Sequence, residues 1–161
     1  MNKLKQLTLK AYLEELSKKT PAPGGGSAAA LTAALGAALI SMVVNYSLGK
    51  GRPPAVERKL RQTLRESERL RRRLLELVDL DAQAYLGLVA ARKGTAAQQA
   101  RARKRAREVP LEICRRCYES VGLTPLLVRE GNRYLLSDVR VAVELLLAAF
   151  YSARINVDIN Q

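Results

Sequence analysis

Histidine and tryptophan are absent from this 161-residue sequence, phenylalanine occurs once and cysteine twice. Without histidine the usual general base and the commonest metal ligand are gone, so acid–base chemistry falls to Asp, Glu, Lys, Tyr or water. The two cysteines, Cys114 and Cys117, form a Cys-x-x-Cys pair. Zinc would need two further ligands of the same kind, so no metal site is expected, and the pair reads as small core residues at helical spacing in Leu111-Glu-Ile-Cys-Arg-Arg-Cys-Tyr118. A basic start followed by an apolar core and a cleavage site is also missing, which predicts a soluble, cytoplasmic protein. Ala28 to Val44 holds only Thr32 and Ser41 as polar residues. That run is shorter than the roughly 20 strongly apolar residues of a membrane span and is mostly alanine, so no membrane association is expected. There is no internal repeat and no alternating pattern of the kind a strand requires.

What is abundant is Ala, Leu, Arg and Glu, a composition that favours helix over sheet. The length suits one domain spanning residues 1–161. The formal charge of +13 is concentrated: Lys50 to Arg73 carries ten basic and three acidic residues, and Arg92 to Arg116 carries nine and two. Such charge suggests an anionic partner, with a solvated arginine-rich helix surface as the plainer reading.

Thr20-Pro-Ala-Pro-Gly-Gly-Gly-Ser27 opens the most distinctive stretch. Two prolines stiffen the approach, three glycines permit unusual backbone angles, and Ser27 is placed to cap the helix that follows, from about Ser27 to Tyr46. Gly26, Ala30, Ala34 and Ala38 recur at a spacing of four on this helix, so neighbouring backbones are expected to approach it closely in the middle of a bundle. Its N-terminal N–H groups make a ready anion site. Before it, residues 4–19 read as a helix capped by Thr8, with Leu9, Tyr12, Leu13 and Leu16 as its apolar stripe.

After the break at Gly49-Lys-Gly-Arg-Pro-Pro54, a very long helix is predicted over Pro54 to Lys93. At about 55 Å it should overhang the domain, and its apolar stripe, ending at Tyr85 and Leu88, then calls for a second copy of the chain. A polar segment at Gly94–Gln99 leads to a helix kinked at Pro110, a short element at Leu123–Arg129, a turn at Gly131-Asn132 and a last helix from Ser137-Asp138. Within the long helix, Asp81 has Leu77, Val78, Ala84 and Tyr85 at three and four positions either way. It should therefore be buried, and either meet a cation or have a raised pKa. Asp79 should be wetter. Asp138 reads first as a helix cap.

Taken in order, the proline–glycine loop with its alanine helix, Asp79-Leu-Asp-Ala-Gln-Ala-Tyr85, Val109-Pro-Leu, Gly131-Asn132, Ser137-Asp138 and Ser152-Ala-Arg-Ile-Asn-Val-Asp-Ile-Asn160 resemble the cyclodeaminase/cyclohydrolase family. That family comprises the cyclodeaminase domain of formiminotransferase-cyclodeaminase and stand-alone bacterial methenyltetrahydrofolate cyclohydrolases. The resemblance covers the whole chain and implies an all-α, antiparallel helical bundle with one very long helix, dimerising through apolar helices, with a folate pocket near the subunit interface. It implies a one-carbon tetrahydrofolate enzyme with no permanently bound cofactor, a hydrolase acting on 5,10-methenyltetrahydrofolate, or alternatively a lyase releasing ammonia from formiminotetrahydrofolate. On this reading Asp81 and Asp138 are the catalytic candidates. Pro23, Gly24, Gly25, Gly26, Ser27, Tyr85, Asn132, Ser137 and Asn156 line the substrate site. The substrate is a folate with or without a polyglutamate tail. The sequence ends at Gln161, where relatives usually continue, and holds no formiminotransferase segment. A folate-binding homologue without turnover, or a basic helical module for nucleic acid, are the readings from other classes.

Overall fold

The computed structural model of the chain describes residues 3–160, which form α1 (Leu9–Leu16), α2 (Gly25–Ser47), α3 (Pro54–Ala91), α4 (Ala96–Val121), α5 (Thr124–Glu130) and α6 (Leu136–Ile159). Short 3-10 turns precede α1 at Leu4–Gln6 and α6 at Arg133–Leu135. The described residues contain no strand. The expected all-helical class is therefore what the chain adopts.

The long helices α2, α3, α4 and α6 form a four-cornered bundle in which each runs antiparallel to both neighbours. Side-chain contacts give the register. Ser41 and Ser67 share a hydrogen bond of 2.9 Å between α2 and α3. Arg73 on α3 pairs with Glu112 on α4 at 2.9 Å, and Asn160 at the end of α6 donates to the Ala106 carbonyl of α4 at 3.2 Å. At the other end, the Asn132 N–H donates to the Ser47 hydroxyl at 2.8 Å and ties the entry of α6 to the exit of α2.

The alanines explain how the helices converge. Ala29, Ala30, Ala33, Ala34 and Ala37 of α2 are all buried. Larger side chains, Leu60, Leu70, Leu74 and Leu77 from α3, Ile113 from α4 and Leu146 from α6, fill the space that the short ones leave. Although α2 is long and apolar enough to cross a membrane, most of it is buried inside this bundle. The approach of α2 to α6 is close at Gly36, where a β-carbon would sit 2.8 Å from Leu146 Cγ and 3.0 Å from the Ala142 carbonyl.

Several local expectations are corrected. The predicted helix over residues 4–19 is a 3-10 turn followed by the shorter α1, capped as expected by Thr8, whose hydroxyl accepts from the Ala11 N–H at 3.2 Å. Of its apolar stripe only Tyr12 is buried; Leu9 is 73% and Leu13 61% exposed. Ser27 does not cap α2, because the helix starts earlier, with Gly24 as its N-cap. None of Gly24, Gly25 and Gly26 has a positive φ, a conformation found among the described residues at Gly49 and Gly51. The polar stretch before α4 is shorter than expected, since Thr95 and Gln98 form a capping box that starts the helix at Ala96. That helix then runs unbroken through the buried Pro110.

The 38 residues of α3 span about 57 Å, as anticipated. Its overhang, however, is covered from within the chain. Residues beyond Asp81 pass the start of α2 and are met by the N-terminal half of α4, so the two helices project together. Exposed apolar side chains also lie on α2 and α6, among them Leu35, Tyr46, Val141, Leu147, Tyr151, Ile155 and Ile159.

Gly36→Val should force α2 away from α6 and lower the thermal midpoint by about 3–10 °C, from an overpacking cost of roughly 1–3 kcal/mol. Calorimetric melting tests this. An unchanged midpoint would mean that the two helices have room to spare.

Candidate functional site

Where α2 begins, α6 ends and the α3–α4 pair starts to project, the backbone leaves a cavity of about 240 Å³ lined by Gly24, Gly25, Gly26, Asp81, Tyr85 and Asn156. These six candidates come from three separate stretches of sequence. Pro21, Ala22, Ala82, Ala84, Ala106 and Asn160 complete the wall. Pro23, which follows a cis Ala22–Pro23 bond, is buried beside this wall. Ser27 is fully buried behind it, 3.0 Å from the Tyr12 hydroxyl.

Asp81 dominates the electrostatics. It makes no ion pair among the described residues. Burial pushes its carboxyl up to about 6, against a smaller lowering by the Ser27 backbone N–H. Of the two outcomes open to a buried carboxylate, a cationic partner or a raised pKa, the structure holds the second. The anion at the start of α2 is thus the protein's own, seated where the unpaired N–H groups and the helix dipole favour negative charge. This also accounts for Gly26: a β-carbon there would overlap the Asp81 carboxylate, whereas one at Gly25 would only touch Asn156 at 3.7 Å. The glycine is required for space rather than for backbone angle. Burial likewise raises the Tyr12 phenol, with the Ser27 hydrogen bond opposing and the Asp81 charge adding to the effect.

The expected contrast between Asp79 and Asp81 is corrected. Asp79 is the more deeply buried, only 6% exposed, and accepts the Lys5 N–H at 3.3 Å. The 3-10 turn at Leu4–Gln6 folds over that face of α3, a contact between residues 74 apart in sequence. Nothing in the local pattern around Asp79 could have signalled it.

Three candidates stand apart from the cavity. Asn132, Ser137 and Asp138 gather where α2 ends and α6 begins, about 33 Å along α2 from Gly25. Asn132 accepts the Tyr134 N–H at 3.1 Å and organises the 3-10 turn there. Asp138 lies in the first turn of α6. Cys114 and Cys117 are buried and unbonded to each other, with burial pushing the Cys117 thiol up to about 12, as suits core residues.

Because the Asp81 pKa is raised in the folded state, its ionisation disfavours folding above pH 6, and that cost disappears once both states are protonated, below about pH 4. Asp81→Asn should therefore stabilise the fold at pH 7 by about 1–3 kcal/mol, with the gain shrinking as pH falls through 6. Urea unfolding of both proteins between pH 4 and 8 measures it. A variant less stable at pH 7 would indicate that a cation had been holding the carboxylate.

Comparison with known proteins agrees with this arrangement. The profile of the formiminotransferase-cyclodeaminase family matches residues 8–161. A methenyltetrahydrofolate cyclohydrolase of Methylorubrum extorquens is 39% identical over 163 residues, covering 95% of this chain and 78% of the relative. The formimidoyltransferase-cyclodeaminase of Rattus norvegicus is 32% identical over 163 residues, and there the chain spans only 30% of the relative's length. The crystal structure of a formiminotetrahydrofolate cyclodeaminase from Thermotoga maritima superposes with a TM-score of 0.93 at 29% identity, over 98% of this chain and 79% of that one. With the family profile matched over nearly the whole chain and the bundle reproduced, the protein belongs to the formiminotransferase-cyclodeaminase family.

Proposed function

We propose that the chain is a one-carbon tetrahydrofolate enzyme of the cytoplasm that hydrolyses 5,10-methenyltetrahydrofolate to 10-formyltetrahydrofolate. The observation that carries this reading is Asp81, a carboxylate without an ion-pair partner among the described residues that faces a small cavity and whose pKa burial raises to about 6. The substrate is a cation, its charge shared over N5, the methenyl carbon and N10. An ionised Asp81 attracts it, and the same carboxylate takes a proton from water as the oxygen adds to the methenyl carbon. The carbon–N5 bond then breaks, N5 ends with one of the two water protons, and the other leaves to solvent. The similarity to the Methylorubrum extorquens cyclohydrolase supports this choice over ammonia release.

The similarity to the Thermotoga maritima cyclodeaminase favours a second reading at the same site. There N10 attacks the formimino carbon, the bond from that carbon to the imino nitrogen breaks, and the nitrogen leaves as ammonia with the hydrogen that N10 gives up and one proton that Asp81 would supply in its protonated form. The two reactions place opposite demands on one group. For hydrolysis kcat/KM should fall as pH drops below about 6, and for deamination it should fall as pH rises above that value. The methenyl chromophore reports both directions, being consumed by one reaction and produced by the other. In either case Asp81→Asn should lower turnover by at least roughly 10²-fold while the fold persists. Near-normal turnover in that variant would remove Asp81 from the chemistry and leave a folate-binding homologue as the better reading.

We further propose a homodimer formed through α2 and α6. Leu35 and Tyr46 of α2 and Val141, Leu147, Tyr151, Ile155 and Ile159 of α6 are exposed on these neighbouring helices, an apolar face of the kind that marks an interface. The Asp138 cluster is remote from Asp81 within one chain, so any part it plays in the reaction comes through the partner subunit. Sedimentation at micromolar concentration should show a dimer, and Ile155→Glu a monomer. A wild-type monomer would contradict the interface.

A further inference from the structure

Ser27 belongs to the glycine loop and sits directly behind the Asp81 cavity, yet its side chain is fully buried and lies outside the cavity lining. Its hydroxyl therefore does not meet a ligand seated there. It faces inward instead, 3.0 Å from the hydroxyl of Tyr12, which is only 5% exposed. Leu9 and Leu13 of the same helix are exposed, so Tyr12 is the residue that α1 buries, and it does so against the first turn of α2.

A phenylalanine would fill the same space, so packing does not account for the hydroxyl. The two hydroxyls carry two hydrogens, and the bond between them uses one. Neither oxygen has a further partner among the described residues, which leaves the second hydrogen free to turn. Burial and, to a smaller degree, the charge of Asp81 keep the Tyr12 phenol protonated. The interaction is reciprocal: hydroxyl dipoles turned toward an ionised carboxylate in a site of low dielectric favour its charge. Ser27 is common to both contacts, its backbone N–H donating to Asp81 and its side chain bonding Tyr12.

No charged side chain other than Asp81 lines this cavity. Its wall carries the Tyr85 phenol from α3, the amides of Asn156 and Asn160 from the end of α6, and Ala106 from α4. The Arg105 guanidinium lines the adjoining recess, and Asp79, two residues earlier on α3, accepts the Lys5 N–H.

We propose that Tyr12 is a positioning residue for the reaction: acting through Ser27, its hydroxyl holds the first turn of α2 against Asp81 and favours the ionised carboxylate. The inference rests on the reading of Asp81 as the group that carries the chemistry.

Tyr12→Phe keeps the ring and removes the hydroxyl, while Ser27→Ala removes the other end of the same bond. Carbon-13 NMR of protein labelled at its aspartate carboxyl groups follows the titration without turnover. The sequence holds four aspartates, and the Asp81 signal is the one missing from Asp81→Asn. Against the wild-type value of about 6, each variant should titrate about half a unit to one unit higher, the worth of one hydrogen bond. The double variant should shift no further than either single one, because both changes remove one link. The pH midpoint of kcat/KM should rise by the same amount. An unmoved titration with a lower melting temperature would reduce the pair to a core hydrogen bond and overturn the proposal. A downward shift, or shifts that add in the double variant, would overturn it as well. If the NMR titration moves while turnover is absent or its pH profile stays in place, the positioning role holds and the assignment of Asp81 to the reaction fails.

Discussion

The close approach of α2 to its neighbours is the constraint on which the rest of the molecule depends. With alanine and glycine on its inner faces, its backbone comes near enough to α3 and α6 that Leu146 fills the space at Gly36 and the Asp81 carboxylate fills the space at Gly26. The same property that closes the core therefore sets a carboxylate against the start of a helix. A larger side chain at either glycine would separate the helices, and at Gly26 it would also displace the group proposed to carry the chemistry.

Burial and helix polarity act on that carboxylate in opposite directions. Desolvation disfavours its charge, while the N-terminal backbone of α2 favours it. Desolvation is the larger effect, and the balance falls near pH 6, within reach of either protonation state in neutral solution. A paired Asp81 would titrate far lower and could serve only as a base. Arg69, Arg71, Arg73 and Arg116 are engaged instead by Glu66, Glu68, Glu76, Glu112 and Glu119 along the flank of α3 and α4. Of these pairs, Arg69–Glu119 and Arg73–Glu112 tie α3 to α4, while Arg101 and Arg105 on the projecting half of α4 make no ion pair among the described residues.

The length of α3 has a similar double consequence. Its residues beyond Asp81 add little to the core that α2 and α6 form, yet they pair with α4 and extend the surface beyond the small cavity. The projection thereby places Gly87, Arg101 and Arg105 beside the candidate site.

Helix content, the approximate bounds of α2, α3 and α6, and the unusual position of Asp81 were legible in the sequence, because each depends on neighbours within four residues. So was the association of the glycine loop with Asp81, Tyr85 and Asn156, though only through resemblance to a family, since no local pattern links residues so distant along the chain. The burial of Asp79 was decided by tertiary structure alone, when the Leu4–Gln6 turn folded across α3 and covered a position that looked solvated. So was the separation of Asp138 from Asp81: antiparallel packing places the start of α6 beside the end of α2, the length of a helix from the cavity. Local periodicity determines which face of a helix is apolar. Which other segment covers that face, and how far apart two polar groups finally lie, follows from the packing of whole helices, and that the sequence by itself did not reveal.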